Sequence, residues 1–319
     1  MIITLTPNPS IDRTVDLAAL RRGQVNRATA SRIDPGGKGV NVSRALTAQG
    51  SPTLAVLPEG GPEGHLMAEL LDAAGVRRRG VPVAGSVRLN VTAVEPDGTT
   101  TKLNEPGPTL DKGEVRALLE AVADAVRSAG GEPVWVVGCG SLPPGAPADL
   151  LAGLVTAGRR AGARVAVDSS GDPLRPAVAA GPDLIKPNRV ELEELVGADL
   201  PTLGAVVDAA RDLVAGGVGR VAVSLGRDGA VLVDGDEVVH ARATIARPVS
   251  TVGAGDCMLA GLLHDLAAGA PAAQALCTGV RWGAAAVTLP GSSVPTPPDL
   301  ADIDVSVTTT PDRSLAVRD

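Results

Sequence analysis

The chain of 319 residues is long enough for one large α/β domain with an addition, or for two ordinary domains. Hydrophobic residues make up 44% and charged residues 20%, and Trp135 and Trp282 are the only Phe, Tyr or Trp side chains, so a sizeable core must be built from Val, Leu, Ala and Ile. A formal charge of −7 with almost no side chains for base stacking speaks against a nucleic-acid partner, and no uncharged apolar stretch reaches about 18 residues, so no membrane partner is expected.

The sequence opens MIITLTPNPS, without a basic n-region or a signal-peptide core, and its three cysteines show no CxxC spacing. Both features predict a reducing, cytoplasmic location. In chain order, IITLTP predicts a strand over 2–7, and residues 11–34 follow without a helical period. A helix is expected near 39–49, a strand over 53–58 and a helix over 63–74. Residues 81–104 read as strand–turn–strand around PDG. The helix over 112–129 has a marked start, with Asp111 as N-cap, Glu114 at N3, and Leu110 and Val115 as a hydrophobic staple. Strands over 134–138, 164–168, 183–187, 220–226 and 230–235 then intersperse with helices near 147–161, 190–196, 204–216, 255–268 and 272–288. Several strands are continuously apolar, as strands covered on both faces should be. The alternation implies a mostly parallel central sheet with helices on both sides. The α/β body takes residues 1–10, 36–80 and 105–304. Residues 11–35 and 81–104 form a small inserted β-structure able to act as a lid, and the polar tail 305–319 is expected to fray.

Chemistry concentrates in a few glycine turns. In VSTVGAGDCMLAGLL, Gly253, Ala254 and Gly255 open a helix whose first N–H groups lack partners and sit at the positive end of the helix dipole. Such a turn suits charge developing on a phosphoryl group. Asp256 beside it reads equally as a helix cap or as an ionised proton acceptor. GGKGVNVSRAL is neither a Walker A loop nor GxGxxG, yet it gives a second glycine turn, with Lys38, Asn41 and Arg44 at the start of a helix. LIKPNRVELEEL ends a buried strand at Lys186 and places Asn188 and Glu191 three apart. That pair could hold a hydrated Mg²⁺ or form an N-cap with its first-turn partner. VSLGRDGA and GCGSLPPG are further turns at strand ends. The histidines, His65, His240 and His264, form no metal-binding pattern. Cys257 is expected to be a buried packing residue.

The ordered set GGKGVNVSRA, GSLPPG, VDSSG, KPNxxEL, SLGxxGA and VSTVGAGD resembles the ribokinase-like (PfkB) carbohydrate kinases, most of all their phosphosugar branch, over residues 2–298. The resemblance implies a three-layer α/β sandwich with an inserted β-lid, and ATP with Mg²⁺ as the phosphoryl donor. It allows a monovalent cation as well. It implies Asp256 as the catalytic base, with Gly253, Ala254 and Gly255 as the anion hole. Asn188 and Glu191 match the metal-positioning motif. Lys186, Asn188, Ser224, Gly226, Gly229 and Gly283 fall on the nucleotide side. Asp12, Gly37, Lys38, Asn41, Arg88 and Asn90 fall on the sugar side, where Lys38 and Arg88 would neutralise a sugar phosphate by charge-assisted hydrogen bonds. The lid is expected to mediate a homodimer. Ser250 stands where many sugar kinases carry Asp, as in the phosphosugar branch. Gln24 stands where some relatives place a lysine on a 6-phosphate. The expected reaction is therefore transfer from ATP to the 6-hydroxyl of fructose 1-phosphate, with the 6-phosphates of tagatose and fructose as alternative substrates. A catalytically silent sugar-phosphate sensor on the same fold is disfavoured by the intact GAGD turn, and a dinucleotide oxidoreductase by the absence of GxGxxG.

Overall fold

The computed structural model describes residues 1–317. The chain begins with β1 (Ile2–Leu5), β2 (Ser10–Asp16), β3 (Ala30–Gly36), α1 (Lys38–Ala48), β4 (Thr53–Glu59), α2 (Gly61–Ala73) and β5 (Arg78–Pro82). It continues through β6 (Arg88–Val94), β7 (Thr100–Asn104), α3 (Lys112–Arg127), β8 (Trp135–Cys139), α4 (Leu150–Arg160), β9 (Arg164–Asp168), α5 (Leu174–Ala179), β10 (Leu184–Ile185), α6 (Arg189–Val196) and α7 (Leu203–Ala215). The last elements are β11 (Arg220–Ser224), β12 (Ala230–Asp234), β13 (Glu237–Ala243), α8 (Ala254–Ala267), α9 (Ala272–Val287) and β14 (Val305–Thr308).

Ten strands form one sheet in the order β14-β13-β12-β11-β10-β9-β8-β1-β4-β5. The pairs from β11 to β5 are parallel, and β11 to β14 form an antiparallel flank. The layers follow from side-chain alternation along the buried strands. In β9, Val165 and Val167 join the core cluster built with α3, α4 and α7, while Ala166 faces the cluster built with α1, α8 and α9. Each fully buried Val or Leu in these layers contributes about 1.5–3 kcal/mol by leaving water. The capping box of α3 forms as expected, with Asp111 and Glu114 each accepting from the other's backbone at 2.8 Å, and Leu110 and Val115 are both buried.

The inserted segments form a separate sheet, β3-β2-β6-β7. It rests on the body through Ile11 and Val87, which pack in one cluster with Val40, Leu57, Met67 and Leu71. Its register sets Asp12 of β2 opposite Asn90 of β6 and Asp34 of β3. Val81 and Pro82, expected in the lid, instead pair with Pro58 and Glu59 in the main sheet.

The expectation of a frayed tail over 305–319 is corrected for residues 305–317, while 318 and 319 lie outside the described residues. β14 pairs with β13, the Leu203 N–H donates to the Leu315 carbonyl at 2.8 Å, and Val317 is buried. The tail is polar because β14 is an edge strand with one face in solvent, not because it lacks structure. Among the described residues no helix is long and apolar enough to cross a membrane.

Candidate active site

In an open parallel sheet, ligands gather where strand order reverses, at the carboxyl ends of the strands. Here the reversal lies between β1 and β8, since the chain moves outward from β1 through β4 to β5 and then returns to β8 on the other side. Along that edge lie the residues after β1, Gly140 after β8, Asp168 at the end of β9, Lys186 after β10 and Ser224 at the end of β11. Lys38 opens α1 above this point; a Cβ on Gly140 would sit 3.9 Å from its own.

α8 starts at Ala254, with Gly253 as N-cap in the left-handed region at φ 78. The Ala254 N–H already donates to the Thr251 carbonyl at 3.3 Å. The first-turn N–H groups of Gly255 and Asp256 have no acceptor within the helix. A Cβ on Gly255 would lie 3.4 Å from Lys186 Nζ, which places this buried ammonium beside the first turn of α8. Asp256 is 7% exposed, and its Oδ2 accepts from Asn41 Nδ2 at 2.9 Å. Burial, and then the nearby charge of Asp168, raise its pKa to about 7, against the lowering effects of Asn41, Lys186 and Lys38. The expected readily ionised carboxylate is thus corrected. Desolvation and the charge of Asp168 outweigh the Asn41 donor and the two lysines, and Asp256 is balanced between its two protonation states near neutrality.

Asp168, 1% exposed, joins two cations: Lys38 Nζ lies 2.8 Å from Oδ1 and Lys186 Nζ lies 3.0 Å from Oδ2. Burial opposes its charge, but the two lysines hold its carboxyl below the usual range. Lys38 also lies 3.7 Å from Glu191 Oε1. Burial opposes the charge on Lys38, but Asp168 and Glu191 outweigh it and hold the ammonium's pKa above its usual value. Of the two residues expected on one sugar phosphate, Lys38 pairs here with Asp168 and Glu191, while Arg88 donates to backbone carbonyls.

Asn188 and Glu191 close a capping box on α6, each accepting from the other's backbone N–H, at 2.8 and 2.9 Å. Glu191 Oε1 remains turned toward Lys38. Ser224 abuts this turn, its N–H donating to the Pro187 carbonyl at 3.1 Å. Gly226 and Gly229 shape the following turn; at Gly229, with φ +85, a Cβ would come within 2.0 Å of the Ala241 carbonyl oxygen. Gly283, expected at a nucleotide pocket, is buried in α9 with its Cβ position 3.0 Å from the Ala254 carbonyl oxygen and 3.1 Å from Met258 Cβ. It allows α9 to pack closely behind the first turn of α8.

A second cluster lies under the lid. Asp12 Oδ1 accepts from Ser10 Oγ at 2.7 Å and from Asn90 Nδ2 at 3.1 Å. Burial raises its pKa, opposed by those two donors and by the charge of Arg88. Arg88 donates to the backbone carbonyls of Asn8 and Glu105, both at 3.2 Å. Gly37, the N-cap of α1 at φ 110, lets the chain turn against Thr6, whose Cγ2 lies 2.9 Å from its Cβ position. Four buried polar atoms here have no hydrogen-bond partner among the described residues: Thr6 Oγ1, Asn8 Oδ1, Arg88 Nε and Asn90 Oδ1. Orphaned buried polar groups are rare in a finished core. Their grouping marks a polar recess suited to a hydroxylated ligand.

Asp168 was missed as a member of this site by the sequence reading, although VDSSG was singled out. Its signal is a carboxylate ending a continuously apolar strand beside the reversal point. Cys257, as expected, is a packing residue: it is 1% exposed, and burial followed by the charge of Asp256 pushes its thiol up to about 12.

The family model described as pfkB family carbohydrate kinase matches residues 5–299. A 1-phosphofructokinase of Rhodobacter capsulatus is 39% identical over 96% of this chain and 96% of its own. An ATP-dependent 6-phosphofructokinase isozyme 2 of Mycobacterium tuberculosis is 36% identical over 92% of this chain and 85% of its own. Among solved structures, phosphofructokinase-2 from Escherichia coli in complex with substrates and products superposes with a TM-score of 0.87 at 34% identity, covering 94% of this chain and 96% of that one. With the buried carboxylate at the mouth of α8, the strand-end lysines and the lid over a polar recess, these matches establish that the chain belongs to the pfkB family of carbohydrate kinases.

Proposed function

We propose that the protein is a 1-phosphofructokinase, transferring the γ-phosphoryl group of ATP to the 6-hydroxyl of fructose 1-phosphate. Asp256, a buried carboxylate poised near neutrality in the open first turn of α8 and close to two lysines, supports the phosphoryl transfer, and the 1-phosphofructokinase relatives, 36–40% identical, support the substrate.

The sugar lies in the recess between the lid and α1. Asp12 and Asn90 take its hydroxyls, with Gly37 allowing close approach, and Arg88 neutralises its phosphate. The free hydroxyl faces Asp256, which Asn41 orients. Asp256 accepts the hydroxyl proton as the sugar oxygen forms its bond to phosphorus and the bond from phosphorus to the β,γ-bridging oxygen breaks. ADP then leaves, and Asp256 returns the proton to solvent. The first-turn N–H groups after Gly253 and Ala254, with Lys186 and Lys38, stabilise charge on the phosphoryl group in flight, where positioning and electrostatics supply most of the rate. Ser224, Gly226 and Gly229 line the nucleotide.

Magnesium fits as a passenger of the nucleotide. The described residues contain no group of three or more His, Cys, Asp or Glu able to hold a metal, and Mg²⁺ keeps most of its ligands as water and phosphate oxygen. Glu191 Oε1, left outside the capping box, is the protein oxygen available to it, with Asn188 setting that carboxylate's position. When bound, the ion neutralises phosphate charge. Ser250 is used locally, its Oγ donating to the Gly291 carbonyl at 3.0 Å, and no monovalent-cation role is assigned to it. The lid is the proposed homodimer surface, since Val25, in the loop between β2 and β3, is 81% and Leu103 of β7 66% exposed. Three free cysteines support a reducing, cytoplasmic setting.

A coupled ADP-release assay comparing fructose 1-phosphate, fructose 6-phosphate and tagatose 6-phosphate by kcat/KM tests the reading. A clear preference for fructose 1-phosphate is expected. A preference for either 6-phosphate would overturn the substrate and keep the kinase.

A further inference from the structure

Arg44 is a partly buried cation beside the proposed base, and the reaction as described gives it no task. It stands three residues after Asn41 on α1, hence on the same helix face. Its Nη1 donates to the Pro35 carbonyl at 3.1 Å, to Asn41 Oδ1 at 3.2 Å and to the Ser292 carbonyl at 3.1 Å. A guanidinium only donates. The Asn41 atom facing it must therefore be the carbonyl oxygen, and the other end of the amide, Nδ2, is left to donate to Asp256 at 2.9 Å. Turned over, the amide would set an acceptor against the carboxylate and favour its protonated form.

The three acceptors come from three places. Pro35 lies in β3 at the base of the lid, Asn41 is in α1, and Ser292 is in the loop after α9. Asn41 and Ser292 also border the anion hole, since a Cβ on Gly253 would lie 3.9 Å from both Asn41 Nδ2 and Ser292 Cα. Besides Asn41, the groups that act on Asp256 are Asp168 from β9, Lys186 after β10 and Lys38 from α1, while its own charge raises the neighbouring thiols of Cys139 and Cys257. None of them fixes which way the Asn41 amide points.

We infer that Arg44 is a positioning residue for the base: it locks the Asn41 amide with its N–H toward Asp256 and ties that orientation to the base of the lid and to the Ser292 loop. This inference rests on the reading of Asp256 as the base.

The test is the pH dependence of kcat/KM for fructose 1-phosphate, which reports ionisations of the free enzyme. It is measured for the native protein, Asp256→Asn, Arg44→Met and Arg44→Lys, with folding followed by circular dichroism and melting. Asp256→Asn isolates the underlying reading: retained turnover there, or a native profile without an acid limb, defeats the base assignment itself. With that reading intact, both Arg44 variants should shift the acid limb upward by about one pH unit. The loss should be roughly eightfold near pH 6.5 and should nearly vanish by about pH 9, with the KM for ATP little changed. Arg44→Lys keeps the charge, but its ammonium lies one bond short of the Nη1 position at which the three acceptors meet. A native acid limb in Arg44→Lys would make the residue a source of charge rather than orientation and overturn the inference. So would an equal loss at every pH, which is what a merely structural role produces. If Arg44→Met does not fold, Arg44→Lys decides alone.

Discussion

The ammonium of Lys38 lies 2.8 Å from a carboxylate oxygen of Asp168, although 130 residues separate them in the chain. The pair joins the first turn of α1 to the end of β9 across the reversal point of the sheet. Because Asp168 also holds buried Lys186, it is the shared counter-ion of two cations. Removing one partner of a buried pair commonly costs about 3–5 kcal/mol, since a charge is left uncompensated. Asp168→Asn should therefore lower Tm by roughly 5–10 °C and reduce kcat, measured by calorimetry and by ADP release. An unchanged Tm would show that the two lysines find other partners.

Asp256→Asn keeps the shape of the side chain and removes the proton acceptor. It should fold and lose about 10²–10⁴ in kcat, the usual worth of general acid–base catalysis. Near-normal kcat in this variant would displace Asp256 from its proposed role.

The pKa of Asp256 also sets two opposed pH dependences. Its carboxylate form grows as pH rises through about 7, so kcat/KM should fall on the acid side of that value. Stability runs the other way. The folded-state pKa lies above the 3.8 of an ordinary aspartate, so the folded protein holds the proton more tightly than the unfolded chain. This group's contribution is fully present below about pH 4 and is lost as pH rises through about 7. At pH 8 Asp256→Asn should accordingly melt a few degrees above the native protein. Melting curves from pH 5 to 8 check the sign, because the gain should shrink as pH falls.

Gly36 lies under the Asp12 carboxylate. A Cβ there would fall 2.1 Å from Asp12 Oδ2 and 2.5 Å from its Cγ, so Gly36→Ala must displace the carboxyl. The expected outcome is about a tenfold rise in KM for the sugar phosphate, with the KM for ATP within about twofold, since one charge-assisted hydrogen bond is at stake. Equal changes in both constants would argue that the sugar lies elsewhere.

Leu103 projects from β7 of the lid sheet. If two lids meet face to face, Leu103→Glu buries an unpaired charge in that contact and should shift the native dimer toward monomer in sedimentation at micromolar concentration. A native chain that sediments as a monomer throughout would remove the dimer from the account.

The layered body was legible because buried parallel strands write themselves as continuous apolar runs and their helices carry clear start signals. Asp111 and Glu114 announced α3, and the glycine turn announced α8. Most of what stayed hidden depended on partners distant in sequence. β14 is defined by its register on the distant β13, whereas β13, a hairpin partner of β12, was hidden because Glu237 and His240 interrupt its valines. Asp168 was legible as a strand end but not as the counter-ion of two lysines. Lys38 looked like a ligand for substrate phosphate because its nearest chain neighbours are a glycine turn. Only folding brings Asp168 and Glu191 to it. The perturbed pKa of Asp256 escaped for a related reason: a dipole can be read from a helix start, whereas desolvation depends on everything packed around it.

The strap formed by the last residues has a consequence for how this protein is made and handled. β14 covers the outer edge of β13, and Ala316 bridges to Thr202. A chain ending before Val305 would complete the catalytic cluster yet leave β13 with a row of open backbone donors and acceptors, a template for pairing between copies. Truncation at this end should show first as loss of soluble yield, while whatever stays in solution still turns over. A solubility screen of C-terminal fusions is therefore best begun beyond Val317, where the covering strand is left whole.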